Sequence, residues 1–503
     1  MRFFIRIFKG AAVWALFSFF TAAMGGAEFS QSESGYSVKF SGKSWRISRS
    51  GESVRGQSGE MLLPVDFENG AKGLISSRVL IGSDFESLKV ALEGAGVKVV
   101  PARIPFTDAW EVAVGSPEEA IKLAARLSSA NHIRYAHPDI IFPLEARNSP
   151  FEEPYFTNQW NLRNSGQSGG TPSADIGVEA AWQVTTGSPE TIVAVLDLGF
   201  DQTHKDLAGA WYRNPGEIPE NKKDDDGNGL IDDVSGWNFS TNSNKLIYGA
   251  AANHGMATAG IIGARANGIG ITGVCPGCAI LPVVVSGRVS EDAAAIGYAA
   301  SRGATVMSNS WGYALESPRT DIVTEALSNA ALNGRAGKGI PILFAMHNAD
   351  VNDCRPQNPD ISAHPHVFAV SSIDSRDVKV QNSAWGSCLA FLGPSSGSSS
   401  NGIPATDRPG AAGYNTNGSG NFEDLDFHNG FWGTSAATPQ VAGLFALLLS
   451  AEPGLTREQA LSRMKTSAIK ANPEAAAYDP NTGHSPRYGY GRAHGGKLFR
   501  TVD

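Results

Sequence analysis

The segment Thr191–Leu196 is the feature that most limits how this chain can fold. Its residues, TIVAVL, form an unbroken apolar and β-branched run without alternating polar positions. A strand of this kind is buried on both faces, as in a parallel sheet. The segment therefore predicts an α/β domain. Asp197 follows at the carboxyl end of the strand, where binding sites form in open α/β sheets.

Ser435 is the candidate nucleophile. It lies among small residues in the segment GTSAATPQVAG, where an apolar helix is predicted to begin. A hydroxyl at a helix N-terminus is exposed beside unpaired backbone N–H groups, which suits a reaction whose transition state is negatively charged. An ordinary serine cap on a core helix accounts for the same local pattern, so this segment alone does not decide the function.

His254 and Asp197 are the candidate partners of that serine. His254 precedes Gly255 and a small-residue helix that is predicted over Met256–Ala264. The carboxylate of Asp197 could accept a hydrogen bond from the imidazole Nδ1–H and fix the tautomer and orientation of the ring. Each residue also has an ordinary interpretation, because an aspartate can cap a turn and a histidine can cap or fill a helix.

The order of these residues, Asp197, His254 and Ser435, each within its own motif, resembles the subtilisin family of serine peptidases. The resemblance extends over roughly residues 150 to 500, from the segment NQWNLRNSGQSGG to the segment YGYGRAHGGKL. It implies an α/β catalytic domain with a mainly parallel twisted sheet flanked by helices on both faces. It also implies a serine endopeptidase that cleaves proteins or peptides through an acyl-enzyme, without a metal or organic cofactor in the chemistry.

The resemblance further assigns a substrate-binding region. Asn348, which follows an apolar strand, matches the family asparagine that stabilises the oxyanion together with the Ser435 backbone N–H. Ser310, Trp311 and Gly312 resemble the edge along which an extended peptide substrate binds. Trp311 could instead be a core aromatic residue.

Several positions depart from the family pattern. His347 stands where the family has glycine, and with Met346 it is predicted to crowd the pocket for the substrate residue before the scissile bond. Leu198 follows the candidate aspartate where threonine or serine is usual, and Ala257 replaces the second histidine of the family's HGTH motif. The residues beside Asn348 motivate an alternative function, a catalytically silent, calcium-binding scaffold or binding protein on the same fold.

The N-terminus predicts export. Arg2, Arg6 and Lys9 precede the apolar run Ala11–Ala23, and the small residues of Gly25–Ala27 follow. This pattern indicates a signal peptide over residues 1–27, with an uncleaved anchor as the alternative. The mature protein is then expected to be secreted, outside the cell or in a periplasm, and free of the membrane. The net charge is −8, so the composition does not point to nucleic acid as a partner.

A separate segment, residues 28–147, lies between the signal peptide and the catalytic domain predicted over 148–503. Its second half, about residues 77–143, has a β-α-β-β-α-β order that is typical of ferredoxin-like domains. The resemblance implies a propeptide that assists folding and occupies the active site until it is cut away. A permanent accessory domain is the alternative, and the mature chain is predicted to start between Ala146 and Tyr155. The predicted strands and helices are Arg78–Ile81, Phe85–Ala95, Val97–Val100, Trp110–Val114, Glu118–Leu127 and Ile133–Phe142, preceded by short hairpins over Tyr36–Asp66.

Four cysteines in an exported chain predict two disulfides, and three pairings are open. We favour Cys275–Cys278 and Cys354–Cys388. The first pair lies in a Cys-Pro-Gly-Cys turn before the predicted strand Ile280–Val285, whereas a redox motif of this spacing opens a helix.

The segment Lys223–Asp233, KDDDGNGLIDD, predicts a structural calcium site. It has oxygen ligands at positions 1, 3 and 5 and then a turn glycine, as in calcium loops. Ser235 stands where such loops have a bidentate acid, and an acidic, solvated loop is the alternative. The candidate ligands are Asp224, Asp226, Asn228, Asp232 and Asp233.

Two weaker motifs are set aside. Gly393–Gly397 matches the G-x-S-x-G motif of esterases, but Ser395 is followed by more serine and glycine and not by a helix. His364 and His366 have no carboxylate partners in the sequence and are predicted to be surface residues.

Overall fold

The computed structural model of the protein describes residues 36–40, 43–55, 60–67, 72–105, 107–141, 153–247, 249–357, 359–398, 401–418 and 422–499. The chain divides into two compact units, residues 1–146 and 147–503. The predicted signal peptide and most of the predicted processing region lie outside the described residues.

The N-terminal unit is an α+β structure. Its elements are β1 (Tyr36–Phe40), β2 (Lys43–Arg49), β3 (Val54–Arg55), β4 (Met61–Phe67), β5 (Lys72–Gly82), α1 (Phe85–Gly94), β6 (Ala102–Arg103), β7 (Ala109–Ala113), α2 (Pro117–Leu127) and β8 (Tyr135–Ile141).

The second half of this unit has the predicted ferredoxin-like order. Its strands lie side by side as β8-β5-β7-β6, and every neighbouring pair is antiparallel. The first and last strands are therefore adjacent, and apolar residues of α1 and α2 pack on Val79 and Ile81 of β5. The hairpins predicted over Tyr36–Asp66 are strands β1–β4, which extend the same sheet because β4 pairs with β5.

The predicted strand Val97–Val100 is wrong. These residues are irregular, and the short β6 provides the second strand of the pattern instead. Val100 is 90% exposed. A valine-rich run favours a strand only where its side chains pack against neighbours, and here they do not.

The C-terminal unit contains a parallel sheet and its flanking helices. Its elements are α3 (Val178–Trp182), β9 (Ile192–Asp197), β10 (Trp237–Asn238), α4 (Ala252–Gly263), β11 (Ala279–Val284), α5 (Val289–Ser301), β12 (Val306–Asn309), α6 (Asp321–Asn333), β13 (Ile342–Ala345), β14 (Phe368–Ile373), β15 (Leu389–Pro394), β16 (Ile403–Thr406), β17 (Phe427–Phe431), α7 (Thr434–Ala451), α8 (Arg457–Ser467) and α9 (Pro473–Ala476).

The predicted α/β fold is confirmed. Within the described residues the main sheet has seven strands in the order β10-β11-β9-β12-β13-β14-β15, and all pairs are parallel. Strand β9 shows how both faces are covered. Val193 and Val195 join the core that contains α4 and α7, whereas Ala194 and Leu196 join the core that contains α5 and α6.

Helix α7 passes through the centre of the unit. Among the described residues it is the helix that is long and apolar enough to cross a membrane, but 83% of it is buried inside the protein. Phe445 stacks on Phe368 of β14 with ring centroids 5.4 Å apart. Its apolar composition is thus explained by the protein core, and this burial holds the first turn with Ser435 at the end of the sheet.

Helix α4 begins earlier than predicted. It starts at Ala252, so His254 lies in its first turn and not before it. The helix continues directly from a 3-10 turn at Gly249–Ala251, and no side chain caps its N-terminus. Without a capping residue the sequence carries no local signal for this start.

The structure pairs the cysteines as the sequence analysis favoured. Cys275 and Cys278 have Cα atoms 5.4 Å apart, and the Cys354 and Cys388 Cα atoms are 5.6 Å apart. The first bridge closes the turn before β11, and the second joins a loop after β13 to the start of β15.

Gly255 sets how closely α4 approaches the turn after β9. A Cβ atom at this position would collide with the carbonyl oxygen of Gly199. We expect Gly255→Ala to lower the free energy of unfolding by about 1–3 kcal/mol, because backbone would have to move. Gly297→Ala in α5 is the matched control, since open space surrounds that position and alanine should add about 0.5–1 kcal/mol in a helix. Urea unfolding measures both, and an equal gain for the two variants would contradict this packing.

Candidate active site

Three elements bring the candidate catalytic residues to one end of the sheet. Asp197 is the last residue of β9, His254 lies in the first turn of α4, and Ser435 lies in the first turn of α7. The Asp197 side chain is fully buried, and that of His254 is 20% exposed. The carboxylate thus lies beneath the imidazole, away from solvent.

Both oxygens of the Asp197 carboxylate are engaged. Oδ1 lies 2.7 Å from His254 Nδ1 and accepts a hydrogen bond from the Leu198 N–H at 2.7 Å. Oδ2 accepts a hydrogen bond from the Thr258 hydroxyl, one turn further along α4, at 2.9 Å. The carboxylate is therefore held in place by backbone and side-chain donors, and it holds the imidazole ring in turn.

The pKa of His254 is raised above its ordinary value. Burial acts against the charged imidazole, but the charge of Asp197 and the hydrogen bond to it outweigh burial. The edge of the ring also contacts Phe431, with centroids 5.3 Å apart. Because Nδ1 is hydrogen-bonded to Asp197, Nε2 is the ring nitrogen that can exchange a proton.

Ser435 is tied to the segment Ser310–Gly312. Its Oγ donates a hydrogen bond to the Ser310 carbonyl at 3.2 Å, and its own carbonyl accepts one from Ser310 Oγ at 3.0 Å. Among the described residues, the hydroxyl of Ser435 makes its hydrogen bond to Ser310 and not to His254. For Ser435 to pass a proton to His254, Oγ would have to turn toward Nε2, and catalytic hydrogen bonds of this kind often form only when substrate binds.

Asn348 lies against the start of α7. Its Oδ1 accepts hydrogen bonds from the Thr434 backbone N–H at 2.9 Å and from the Thr434 hydroxyl at 3.2 Å. This pairing assigns the oxygen to the helix and leaves the amide Nδ2 for the cavity that Asn348 lines with Ser435. Gly433 has φ +81°, and a Cβ there would lie 2.6 Å from Asn348 Oδ1.

A cavity of about 130 Å³ lies beside these residues. Trp311 lines it but also packs in the core, with its ring centroid 5.2 Å from that of Phe344. Both interpretations of Trp311 therefore agree with the structure. The lining residues are Ser310, Trp311, Gly312, Tyr313, Ala345, Met346, His347, Asn348, Asp360, Thr434 and Ser435.

Hydrogen bonds hold His347 in the wall of the cavity. Its backbone N–H donates to Asp353 Oδ2 at 2.9 Å, and its Nδ1 lies 3.0 Å from Asp353 Oδ1. Its Nε2 lies 3.0 Å from the Tyr313 carbonyl oxygen. The hydrogen bond to Asp353 raises the pKa of His347 to about 9, against the opposing effect of burial, with help from the charges of Asp353 and Asp360. Met346 also lines the cavity but is 2% exposed and packs into the core.

The acidic loop brings together part of the predicted calcium ligands. Asp226 and Asp233 lie with Glu217, which the sequence analysis missed, and one oxygen of each lies within 4.8 Å of the others. The Asn228 amide donates to Asp233 Oδ1 at 3.1 Å. Asp224 instead accepts hydrogen bonds from the turn's backbone.

The electrostatics of this cluster fit a divalent cation. Asp232 turns away and accepts backbone N–H groups with both oxygens. Arg302 pairs with Asp226, so three carboxylates and one guanidinium leave a net charge of −2. Glu217 Oε2 is buried without a hydrogen-bond partner. An all-oxygen donor set with an unsatisfied carboxylate oxygen is the chemistry that Ca²⁺ prefers.

The two motifs that were set aside are structural. Ser395 is fully buried and donates a hydrogen bond to the Gly433 carbonyl at 2.8 Å. The prediction that His364 is a surface residue is wrong, because it is 3% exposed and its Nδ1 accepts a hydrogen bond from the His366 N–H. Burial lowers the pKa of His364 to about 4, aided by the nearby cationic side chains.

A parallel sheet with Asp197, His254 and Ser435 at one end is typical of the subtilisin-like α/β fold. The chain belongs to the Subtilase family, whose model matches residues 188–491. This span contains the candidate residues Asp197, His254, Asn348 and Ser435. The family that the sequence motifs indicated is thereby confirmed.

The chain is also similar to curated proteases and to a solved protease structure. The calcium-dependent protease of Nostoc sp. is 32% identical over 390 residues, which cover 74% of this chain and 54% of that protein. Kexin of Saccharomyces cerevisiae is 27% identical over 365 residues, 69% of this chain and 39% of that protein. The chain thus spans about half of the length of these relatives, or less. A crystal structure of the Aeromonas sobria serine protease with a chaperone has a TM-score of 0.58 at 22% identity, over 74% of this chain and 68% of that chain. At 22% identity, this similarity shows a shared fold.

The His347–Asp353 pair predicts a pH-dependent contribution to stability. The pKa of His347 is raised from 6.5 to about 9 in the folded state. The protonated imidazole therefore stabilises the folded protein fully below about pH 6.5, and this stabilisation is lost as pH rises through about 9. We expect His347→Gln to reduce the free energy of unfolding more at about pH 6 than at about pH 10. Denaturant unfolding at both pH values measures this difference.

His364→Gln is the control for that comparison. The pKa of His364 is lowered in the folded state from 6.5 to about 4, so the stabilisation that comes from keeping this ring neutral is complete above about pH 6.5 and is lost as pH falls toward about 4. The penalty of His364→Gln should therefore be slightly smaller at about pH 6 than at about pH 10, which is the opposite direction from His347→Gln. A penalty for His347→Gln that grows with pH would contradict the assignment of a cationic imidazole.

Proposed function

We propose that the protein is a serine endopeptidase that hydrolyses peptide bonds through Asp197, His254 and Ser435. The main support for the proposal is the 2.7 Å contact between the buried Asp197 carboxylate and His254 Nδ1. Ser435 lies at the same end of the sheet, in the first turn of α7. Membership of the Subtilase family supports it.

In the proposed reaction, Ser435 Oγ attacks the substrate carbonyl while His254 Nε2 accepts its proton. Asp197 stabilises the imidazolium that forms. The oxyanion receives hydrogen bonds from Asn348 Nδ2 and the Ser435 backbone N–H. A donor of this kind contributes about 3–4 kcal/mol to the stability of the transition state. His254 then returns the proton to the leaving amine, and water hydrolyses the acyl-enzyme.

The substrate is proposed to bind as an extended strand. Ser310–Gly312 follows the end of β12 and contacts Ser435 through two hydrogen bonds. A peptide that pairs with this backbone would present its carbonyl to Ser435. Trp311 and its neighbours would then line the pocket for the residue before the scissile bond.

The chain is further proposed to be made as a secreted, inhibited precursor. Residues 1–27 would direct export, and residues 28–147 would act as an intramolecular folding aid and inhibitor. The ferredoxin-like order of the N-terminal unit and its compactness support this assignment. An extracellular protease of Xanthomonas campestris, 27% identical over 61% of this chain and 52% of that protein, supports export.

A structural calcium ion is proposed for the acidic loop. Glu217, Asp226 and Asp233 would hold it, and the ion would stabilise the loop without taking part in the chemistry. Asn228 presents its side-chain N–H to the cluster, while its side-chain oxygen accepts a hydrogen bond from the Leu230 N–H. Two features of the cluster support the proposal: Glu217 Oε2 is buried without a hydrogen-bond partner, and the cluster has a net negative charge. The Nostoc relative is named a calcium-dependent protease, which also supports it.

Covalent labelling tests the nucleophile. A fluorophosphonate probe should label the mature protein, and Ser435→Ala should abolish both labelling and casein hydrolysis. Ser395→Ala is the matched control, because it removes a buried hydroxyl near the same helix start. Labelling that persists in Ser435→Ala, or that is lost only in Ser395→Ala, would overturn the assignment.

Chelation tests the calcium proposal. EDTA should lower the thermal unfolding midpoint of the wild-type protein, since a bound ligand stabilises only the folded state. Glu217→Gln should lower the midpoint in calcium and remove most of its response to EDTA. Asp225→Asn serves as the control in the same loop, because the Asp225 carboxylate accepts hydrogen bonds from Ile218 and Asn221. Its contact with Glu217 is made by the backbone N–H, which the variant keeps. An EDTA response that is equal in all three proteins would exclude these ligands.

A further inference from the structure

The cavity beside Ser435 contains a carboxylate that the proposed chemistry does not use. Asp360 lines this cavity together with His347 and Asn348, and its side chain is 10% exposed. Its Oδ1 accepts a hydrogen bond from the Ser362 N–H at 2.8 Å and caps the following turn. Among the described residues, no hydrogen bond reaches Oδ2, whose nearest cationic atom is His347 Nδ1 at 3.7 Å.

The charges around Asp360 leave the cavity negative. His347 contributes one imidazolium, and Asp353 and Asp360 contribute two carboxylates, so the sum is −1. The next charged residue on the loop, Arg355, is paired with Glu316 at 2.6 Å. The wall beside Asn348 therefore attracts positive charge.

The hydrogen-bond donors of His347 are already used. Nδ1 is bonded to Asp353 and Nε2 to the Tyr313 carbonyl oxygen. An acidic substrate side chain would find no free donor on this ring, whereas a guanidinium or ammonium group could bind Asp360 Oδ2. Burial raises the pKa of Asp360, which reflects poor solvation of the carboxylate. A substrate cation would compensate for that lost solvation.

The loop that carries these carboxylates is rigidly held. Cys354 is bonded to Cys388, and the Asp353 N–H donates to the Trp385 carbonyl at 3.1 Å. The Asp360 N–H donates to the Asp353 carbonyl at 3.0 Å. Because backbone and disulfide fix the loop, the carboxylate is positioned before substrate arrives and little ordering is needed on binding.

We propose that Asp360 determines specificity and that the protein cleaves after a basic residue, Arg or Lys, whose side chain enters this cavity. The inference rests on the proposed peptidase function and names its substrate class. His347 and Asp353 shape the wall against which the basic group lies.

Matched peptides test the inference without any variant. Fluorogenic peptides that differ only before the scissile bond would carry Arg, its neutral isostere citrulline, Leu or Glu. We expect the wild-type kcat/KM to be roughly 10- to 100-fold higher for Arg than for citrulline, as for hydrogen bonds between charged groups.

Variants then assign the preference to one residue. Asp360→Asn keeps the oxygen that caps the Ser362 turn, and it should reduce the preference for Arg over citrulline to near unity while sparing the Leu peptide. Asp350→Asn is the control on the same loop, where Asp350 pairs with Arg487 at 3.2 Å and lies outside the cavity lining. It should retain the full preference.

Fluorophosphonate labelling separates the possible failures. Wild-type protein that is not labelled would refute the proposed peptidase function itself. Labelled wild-type protein that cleaves the Arg and citrulline peptides equally, or prefers Glu, would overturn the basic specificity and leave the peptidase function standing. A preference for Arg that survives in a labelled Asp360→Asn protein would exclude Asp360 as its source.

Discussion

The buried carboxylate of Asp197 is the group on which the rest of the site depends. An unpaired charge in such a place would be strongly destabilising, so its partners are structural requirements as much as chemical ones. Leu198, Thr258 and His254 together satisfy both oxygens. Two of these partners lie on α4, so satisfying the carboxylate also fixes the position of that helix against β9.

Close packing of small residues makes this arrangement sterically possible. Gly255 allows α4 to contact the backbone at Gly199, and Gly393 allows β15 to contact α7 at Ala437. A side chain at either glycine would collide with main-chain atoms. The run of glycine and alanine around His254 and Ser435 is therefore explained by helix-to-backbone contact, which brings residues of distant segments to one end of the sheet.

The cavity wall shows how one histidine sets the electrostatics of the site. His347 is partly buried and needs a counter-charge, and Asp353 supplies it. Both ring nitrogens are engaged in hydrogen bonds, and the cationic imidazole makes this part of the cavity lining charged. Asp360 also lines this cavity, and the Cys354–Cys388 bridge holds the loop that carries it.

Elements with local signals could be predicted from the amino-acid sequence. The apolar run Thr191–Leu196 required a buried strand, and the ordered motifs were sufficient to identify the family. Three contacts became visible only in the folded chain: Glu217 lies beside Asp233, His347 is bonded to Asp353, and Asp360 lines the cavity. The physical reason is that a strand or helix is encoded by the periodicity of adjacent side chains, whereas these contacts depend on loops whose paths are set by distant backbone hydrogen bonds and one disulfide.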